Sequence, residues 1–434
     1  MTDTPIPERP SFKEAARFWF KLGWISFGGT AGHIAIMHDY LVDKKKWISD
    51  SRFFHALSFC MLLPGPEAQQ LAIYIGWKLH GKKGGLVAGT LFVLPSMFVL
   101  LALSIIYVRL GNLPWIYALF NGLKPAVIAI IILALYKVAQ KALHGPLRFL
   151  VAALAFVAIF FYNIPLPAII AGVIVLALLI RWVHPPLLPP GQHRKEEGFV
   201  AETGGFSMKR LLKEIAIFGL CWLIPFLFLY LFFPGFPFWK KLVLFFTQAA
   251  FFTIGGSYTV LPYVAQFAVA RLNWLTKMQM VDGFALAETT PGPLIIVVAF
   301  VGFMAGYHHF NGSVGMGTIA LLATTFYTFL PCFFYIFSVG PAIEKTHGNA
   351  VIESVLELIT AAVVGVIFNL TLFLGKDIIF PGGVSLRHTD LLSLIWIVVS
   401  LVLMLKFRLK VPLLILLSVL FGLVRYWIAA RNFK

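Results

Sequence analysis

Two identical tripeptides, PGP at residues 64–66 and PGP at 291–293, are the positions in this chain best suited to chemistry deep in an apolar medium. Proline is favoured at the first position of a helix, where its missing N–H would have no partner anyway. Pro66 and Pro293 therefore predict helix starts. The amides that follow, of Glu67, Ala68 and Gln69 and of Leu294, Ile295 and Ile296, should then be left unpaired. Free N–H groups at the positive end of a helix macrodipole attract anions. Gly65 and Gly292, with the pairs Gly28–Gly29 and Gly255–Gly256, let a second backbone approach without side-chain bulk. The plain alternative is that PGP and GG are kinks or close-packing contacts between helices.

Other candidates cluster around these breaks. Glu67 directly follows the first PGP, while its counterpart in the second is Leu294. Its carboxylate could cap the helix, carry a proton, or act as a gate competing with an anion for the same amides. Glu288, Thr289 and Thr290 precede Pro291 and offer acid and hydroxyl groups; Thr30 and Ser257, directly after the glycine pairs, complete the substrate-binding set. Lys124, in NGLKPA, could balance a dianion or extend to the interface. His33, His38 and Asp39 share helical spacing but match no established ligand pattern, so no metal, cofactor or catalytic residue is expected. Cys60, Cys221 and Cys332 read as small core residues.

The elements that must hold these residues form an internal repeat. Gly29 to Pro64 and Gly256 to Pro291 each span 35 residues, and Gly29 and Gly256 lie 227 positions apart. The same offset carries Trp47 onto Trp274, and Pro95 resembles Pro331 after a short insertion near HHFNGSVG. Duplicated halves of this kind are common in transporters. We place the repeats at 12–183 and 240–430, joined across 184–239 by a polar cytoplasmic linker and one extra apolar segment, 211–233.

Composition requires a membrane. The 434 residues are 60% hydrophobic and 12% charged, against about 25% charged in a soluble domain. Apolar stretches of about 20 residues, enough to cross a bilayer, recur throughout. The net charge of +17 sits in short clusters between them and reads as a topology signal, not a nucleic-acid surface. The first residues lack a cleaved signal's pattern and are expected to be cytoplasmic. Between Lys44–Lys46 and Lys78–Lys83 only two half-length helices fit, meeting at PGP, so that segment should be re-entrant. Segments 84–108, 115–136, 149–163 and 165–183 then alternate sides. With 211–233 added, the second half begins from the opposite face. Its loop MAGYHHFNGSVGMG, which corresponds to the lysine-rich WKLHGKKGG, has no lysine or arginine. The expectation is an all-α polytopic fold with about nine full crossings and two halves in inverted topology. No GxxxxGK[ST] phosphate loop occurs.

The combination SFGGTAGHIAIM, KKKW, LLPGPEAQQLAIYIGW and GGLVAGTLFVLPS resembles the chromate ion transporter family in its long, two-domain form. The resemblance implies a multi-pass protein of a prokaryotic plasma membrane that exports chromate, with sulfate a similar dianion. It points to Gly28, Gly29, Pro64, Gly65, Pro66 and Glu67 as functional positions, and more weakly to Gly255, Gly256, Pro291, Gly292 and Pro293. Family members often carry proline where Thr30 stands here. Rival readings are uptake of sulfate or another small anion, an intramembrane enzyme acting on lipid, and a non-transporting scaffold. The residues leave homo-oligomerisation open.

Overall fold

The computed structural model describes residues 10–26, 29–111, 113–183, 208–253, 257–340, 350–383, 385 and 389–432, and among these it is helical with no strand. The first half runs through α1 (Phe12–Ile25), α2 (Gly29–His38) ending in a π-turn at Asp39–Lys44, α3 (Asp50–Leu62), α4 (Glu67–Leu110), α5 (Pro114–Ala142), α6 (Pro146–Tyr162) and α7 (Leu166–Val183). The connecting helix is α8 (Met208–Phe232). The second half follows with α9 (Phe236–Phe251), α10 (Ser257–Gln266) ending in a π-turn at Phe267–Arg271, and α11 (Lys277–Thr289). A 3₁₀ turn at Leu294–Ile296 opens α12 (Val297–His309), followed by α13 (Val314–Phe334), α14 (Ala350–Ile379), α15 (Leu391–Leu405) and α16 (Val411–Asn432).

Backbone detail follows the 227-residue offset. Lys45 N–H donates to Tyr40 O at 2.9 Å and Trp47 N–H to Leu41 O at 2.8 Å; Leu272 donates to Phe267 and Trp274 to Ala268, both at 2.8 Å. Lys46 and Asn273, between those donors, both turn the chain at φ 50°. Trp47 and Trp274 are buried behind these turns.

The half-length helices expected on either side of the first PGP are present. Helix α3 has 13 residues, about 20 Å at 1.5 Å per residue. Helix α4 is hydrogen-bonded as one rod of 44 residues but bends at His80 and Gly81, the latter at φ 63° and ψ −163°, so residues 67–79 form a short first leg. The segment expected at 84–108 is its second leg. One expectation needs correction in register: Pro66 and Pro293 are N-caps in extended conformation and not first helical residues.

Among the described residues, seven helices are long and apolar enough to cross a membrane, with three shorter apolar ones at Pro146–Tyr162, Leu294–His309 and Leu391–Leu405. Helix α1 packs on α4 and α9 on α13, while α5 and α14 pack on each other. Helix α5 also carries α15 and α16, and α14 carries α6 and α7, so each central helix is covered by the closing helices of the other half. Glycine allows these approaches: a Cβ at Gly122 would lie 2.2 Å from Ser418 O, and one at Gly365 2.1 Å from Ala152 O.

Contacts also define the two ends of α4's second leg. At its start, His80 Nε2 lies 2.8 Å from Pro10 O, Lys45 pairs with Glu14 at 2.8 Å, and Lys82 pairs with buried Glu214 of α8. At its finish, Tyr107 reaches Asp282 of α11 at 2.9 Å. There the Phe238 ring stacks on His309 at 4.5 Å, and His308 Nδ1 lies 2.8 Å from Trp274 O.

Candidate functional site

The two PGP breaks are locked to the opposite halves by matching bonds. Gly65 N–H donates to Thr253 O at 2.6 Å, and Gly292 N–H donates to Ser26 O at 2.7 Å. Each acceptor lies two positions before a glycine pair in the sequence, and each pair of residues is related by the 227 offset. Ser26 and Thr253 fold their hydroxyls back on their own helices, donating to Leu22 O at 2.5 Å and Ala249 O at 2.8 Å. Both tripeptide glycines need positive φ, 130° and 100°, which side chains disfavour. Their missing Cβ positions are filled reciprocally. At Gly65 a Cβ would lie 2.6 Å from Gln70 Nε2 and 3.0 Å from Cys332 Sγ; at Gly292 it would lie 2.6 Å from Ser96 Oγ. Ser96 follows Pro95 and Cys332 follows Pro331, so the expected loose match between those prolines is a packing correspondence.

The frame is duplicated but the polar content is not. Gln70 Nε2 donates to Pro64 O at 2.6 Å, and the Glu67 carboxyl is buried beside it. Glu67 Oε2, Gln69 Oε1, Gln70 Oε1 and His33 Nδ1 are buried with no hydrogen-bond partner among the described residues. His33 Nε2 lies 3.0 Å from Ser26 O, the same carbonyl that accepts from Gly292. The second-half counterparts are Leu294, Ile296, Val297 and Val260, all apolar. Buried polar atoms without partners are costly; three of these four are acceptor oxygens, which a proton or a water molecule can satisfy and a fully deprotonated oxyanion cannot.

Helical bonding after the first break begins with Gln70 N–H to Pro66 O at 3.0 Å, leaving the amides of Glu67, Ala68 and Gln69 ahead of the ladder. At the second break, Ile296 N–H already bonds Pro293 O at 2.9 Å. The tighter 3₁₀ turn leaves only Leu294 and Ile295 ahead of it, one amide fewer than the sequence suggests.

Several predicted residues lie elsewhere or outside the description. Gly28, Gly255 and Gly256 fall outside the described residues; Gly29, at φ 70°, opens α2 with Thr30 beside it, and Ser257 opens α10. Thr289 and Thr290 donate to Leu286 O at 2.6 Å and Ala287 O at 2.7 Å, keeping their hydroxyl protons within α11. Glu288 lines a small apolar cleft with Phe284, Leu294 and Leu261. Lys124 is not grouped with the breaks: its Nζ donates to Asn121 Oδ1 at 3.0 Å and lies 3.7 Å from Asp282 Oδ1.

Among the remaining candidates, His38 bonds Asp50 at 2.6 Å and lies 3.4 Å from Asp43, while Asp39 pairs with Lys44. No group of three metal-ligating side chains occurs among the described residues. Cys60 and Cys332 are buried, but Cys221 is exposed on the outward-facing α8, which corrects its reading as a core residue. Asp282 and Tyr107 were not singled out from sequence. A lone carboxylate in the apolar run MVDGFALA was the available signal.

The chain is 28% identical to a chromate transport protein of Cupriavidus metallidurans over 418 residues, 96% of this chain and 94% of that one. It is 30% identical to a chromate transport protein of Pseudomonas aeruginosa, covering 86% and 84%, and 28% identical to a probable chromate transport protein of Synechococcus elongatus, covering 85% of each. No solved structure matches it. The chromate transporter family profile matches residues 13–180 and 240–423, one match in each half. This chain is therefore a member of the chromate transporter family, a multi-pass membrane transport protein and not an enzyme.

Proposed function

We propose that this chain exports chromate from the cytoplasm across a prokaryotic inner membrane, binding the dianion between the two PGP breaks. The observation that carries this reading is the pair of reciprocal glycine bonds, Gly65 to Thr253 and Gly292 to Ser26, which tie each broken helix to the end of the other half's first helix. The amides of Glu67, Ala68 and Gln69, with those of Leu294 and Ile295, supply donors without a buried cation. The Glu67 carboxylate competes with the substrate for these amides, the role of a gate. Sulfate has the same charge and tetrahedral shape and competes for the same donors.

The halves act as inverted repeats of about 12–183 and 240–430. Supporting this, α1 starts near His80, where α4's second leg begins, and α9 starts where Phe238 stacks on His309, next to His308, which shares a cavity with Tyr107 at that leg's end. Exchange of the two halves about the fixed centre then exposes the site to each side in turn. An inside-negative potential favours export: two charges moved through 100 mV release about 4.6 kcal/mol, roughly a 2,000-fold gradient.

Efflux of labelled chromate from vesicles tests the reading. Glu67→Gln is expected to abolish efflux while the amount of protein in the membrane is unchanged. Wild-type efflux by that variant contradicts the role of Glu67, and net inward flux under an inside-negative potential contradicts export.

A further inference from the structure

A second polar chamber lies toward the α4 finish, built by residues that no part of the central site uses. Asp282, only 5% exposed, accepts a hydrogen bond from Tyr107 OH at 2.9 Å through Oδ2. Its Oδ1 is buried with no hydrogen-bond partner among the described residues and faces Lys124 Nζ at 3.7 Å, an ion pair too long to be a hydrogen bond. Lys124 is 8% exposed. Of its three donors, one goes to Asn121 Oδ1, and its ammonium also lies 5.4 Å from the Tyr117 ring centre.

Lys124 stands between two cavities. One, of about 350 Å³, is lined by Tyr107, Gln279, Asp282 and His308 among others. The other, of about 790 Å³, is lined by Asp377, Asp390, Ser393 and Arg425 among others. Lys124, Tyr117 and Met278 line both. Arg425 and Asp390 pair at 2.9 Å in the larger one, and Lys277 pairs with Asp377 at its rim at 3.1 Å. Asp282 also belongs to α11, the helix whose end leads into the second PGP. Thr289 lies seven positions further on, about 10 Å along the axis.

We propose that Lys124 is a second station for the transported oxyanion, between the central breaks and the larger vestibule, with Asp282 the tethered carboxylate that occupies it when no anion is present. An arriving dianion takes the free N–H donors of Lys124 and displaces Asp282, which stays held by Tyr107. When the anion leaves for the vestibule, Asp282 returns and prevents rebinding. A cation this deep with no competing carboxylate would hold a dianion too firmly to release it. Passage requires sites that bind yet let go. The proposal rests on the anion-transport reading but not on the PGP amides.

The test uses full-length protein, with labelled chromate binding measured by equilibrium dialysis and efflux measured in proteoliposomes. Asp282→Asn should tighten chromate binding at least about fivefold, the lower range for coupled sites, and slow efflux. Adding Lys124→Gln in the same chain should abolish the tightening. Tyr107→Phe, which loosens Asp282 without removing charge, should tighten binding less, and provides a second reading if Asp282→Asn misfolds. The proposal is overturned if Asp282→Asn and the double variant bind chromate as the wild type does. It is likewise overturned if Asp282→Asn and Lys124→Gln, each alone, only lower thermal stability and the neutral double variant restores it, the signature of a structural ion pair. Failure of the central site would appear differently, as wild-type binding by Gly65→Ala and Gly292→Ala with the Asp282→Asn effect intact.

Discussion

At φ 130° and 100°, Gly65 and Gly292 occupy backbone that costs a side chain about 1–3 kcal/mol, and each also faces a neighbour from its surroundings. Gly292→Ala is expected to lower the thermal stability of detergent-purified protein by about that amount. Ser96→Gly in the same chain should recover the part due to the 2.6 Å contact with Ser96 Oγ but not the backbone part. The PGP glycines were legible in sequence because type and spacing repeat. Their bonding partners were not, since Ser26 and Thr253 reach across to the opposite half. Glu67 could be read as the unduplicated acid. That Gln69, Gln70 and His33 are also left with unsatisfied atoms depends on packing among α2, α3 and α4, and no local pattern encodes it.

Among the elements, the bend in α4 is the clearest case of a glycine requirement free of sterics. A Cβ on Gly81 would meet nothing within 4 Å, yet its φ and ψ lie in a region essentially reserved for glycine. Gly81→Ala should therefore destabilise the protein by about 1–3 kcal/mol, or straighten the bend and separate the first leg from α3. Thermal melting together with hydrogen exchange on residues 67–79 distinguishes the two. Helix α15 begins on a conventional cap: Asp390 accepts from the Ser393 amide at 3.1 Å and hydroxyl at 2.8 Å and pairs with Arg425. Burial pushes its carboxyl up, but the Ser393 bonds and Arg425 outweigh burial and leave it below the ordinary carboxylate value. Its contribution is thus complete above the unfolded value near 4 and is lost as pH falls through the lower folded value. Asp390→Ala should cost about 1 kcal/mol at neutral pH, and melting curves should converge with wild type in acid. The short helices around PGP were readable from the spacing of basic loops. The N-cap position of Pro66 and the 3₁₀ turn after Pro293 were not, because one residue of register depends on which carbonyl the first amide meets.

For the whole molecule, the duplication was visible in sequence because three landmarks share one offset, and the repeated hydrogen bonds at Trp47 and Trp274 extend it to the backbone. How the closing helices cover the opposite half could not be read there, since α6, α7, α15 and α16 are mostly apolar and their few charges, such as Arg148 paired with Glu357 and Arg425 with Asp390, find partners that no local pattern names. Inverted topology places residue 83 on the cytoplasmic side and residue 311 outside. In a Cys221→Ala background, an impermeant thiol reagent should label Asn311→Cys in intact cells and Lys83→Cys only after permeabilisation. Labelling of both from one side contradicts the inversion. Chromate binding to purified protein probes the centre itself most directly. Equilibrium dialysis should find binding that competes with sulfate and is lost in Gly65→Ala and in Gly292→Ala alike. Undiminished affinity in both folded variants would contradict an anion site between the two broken helices.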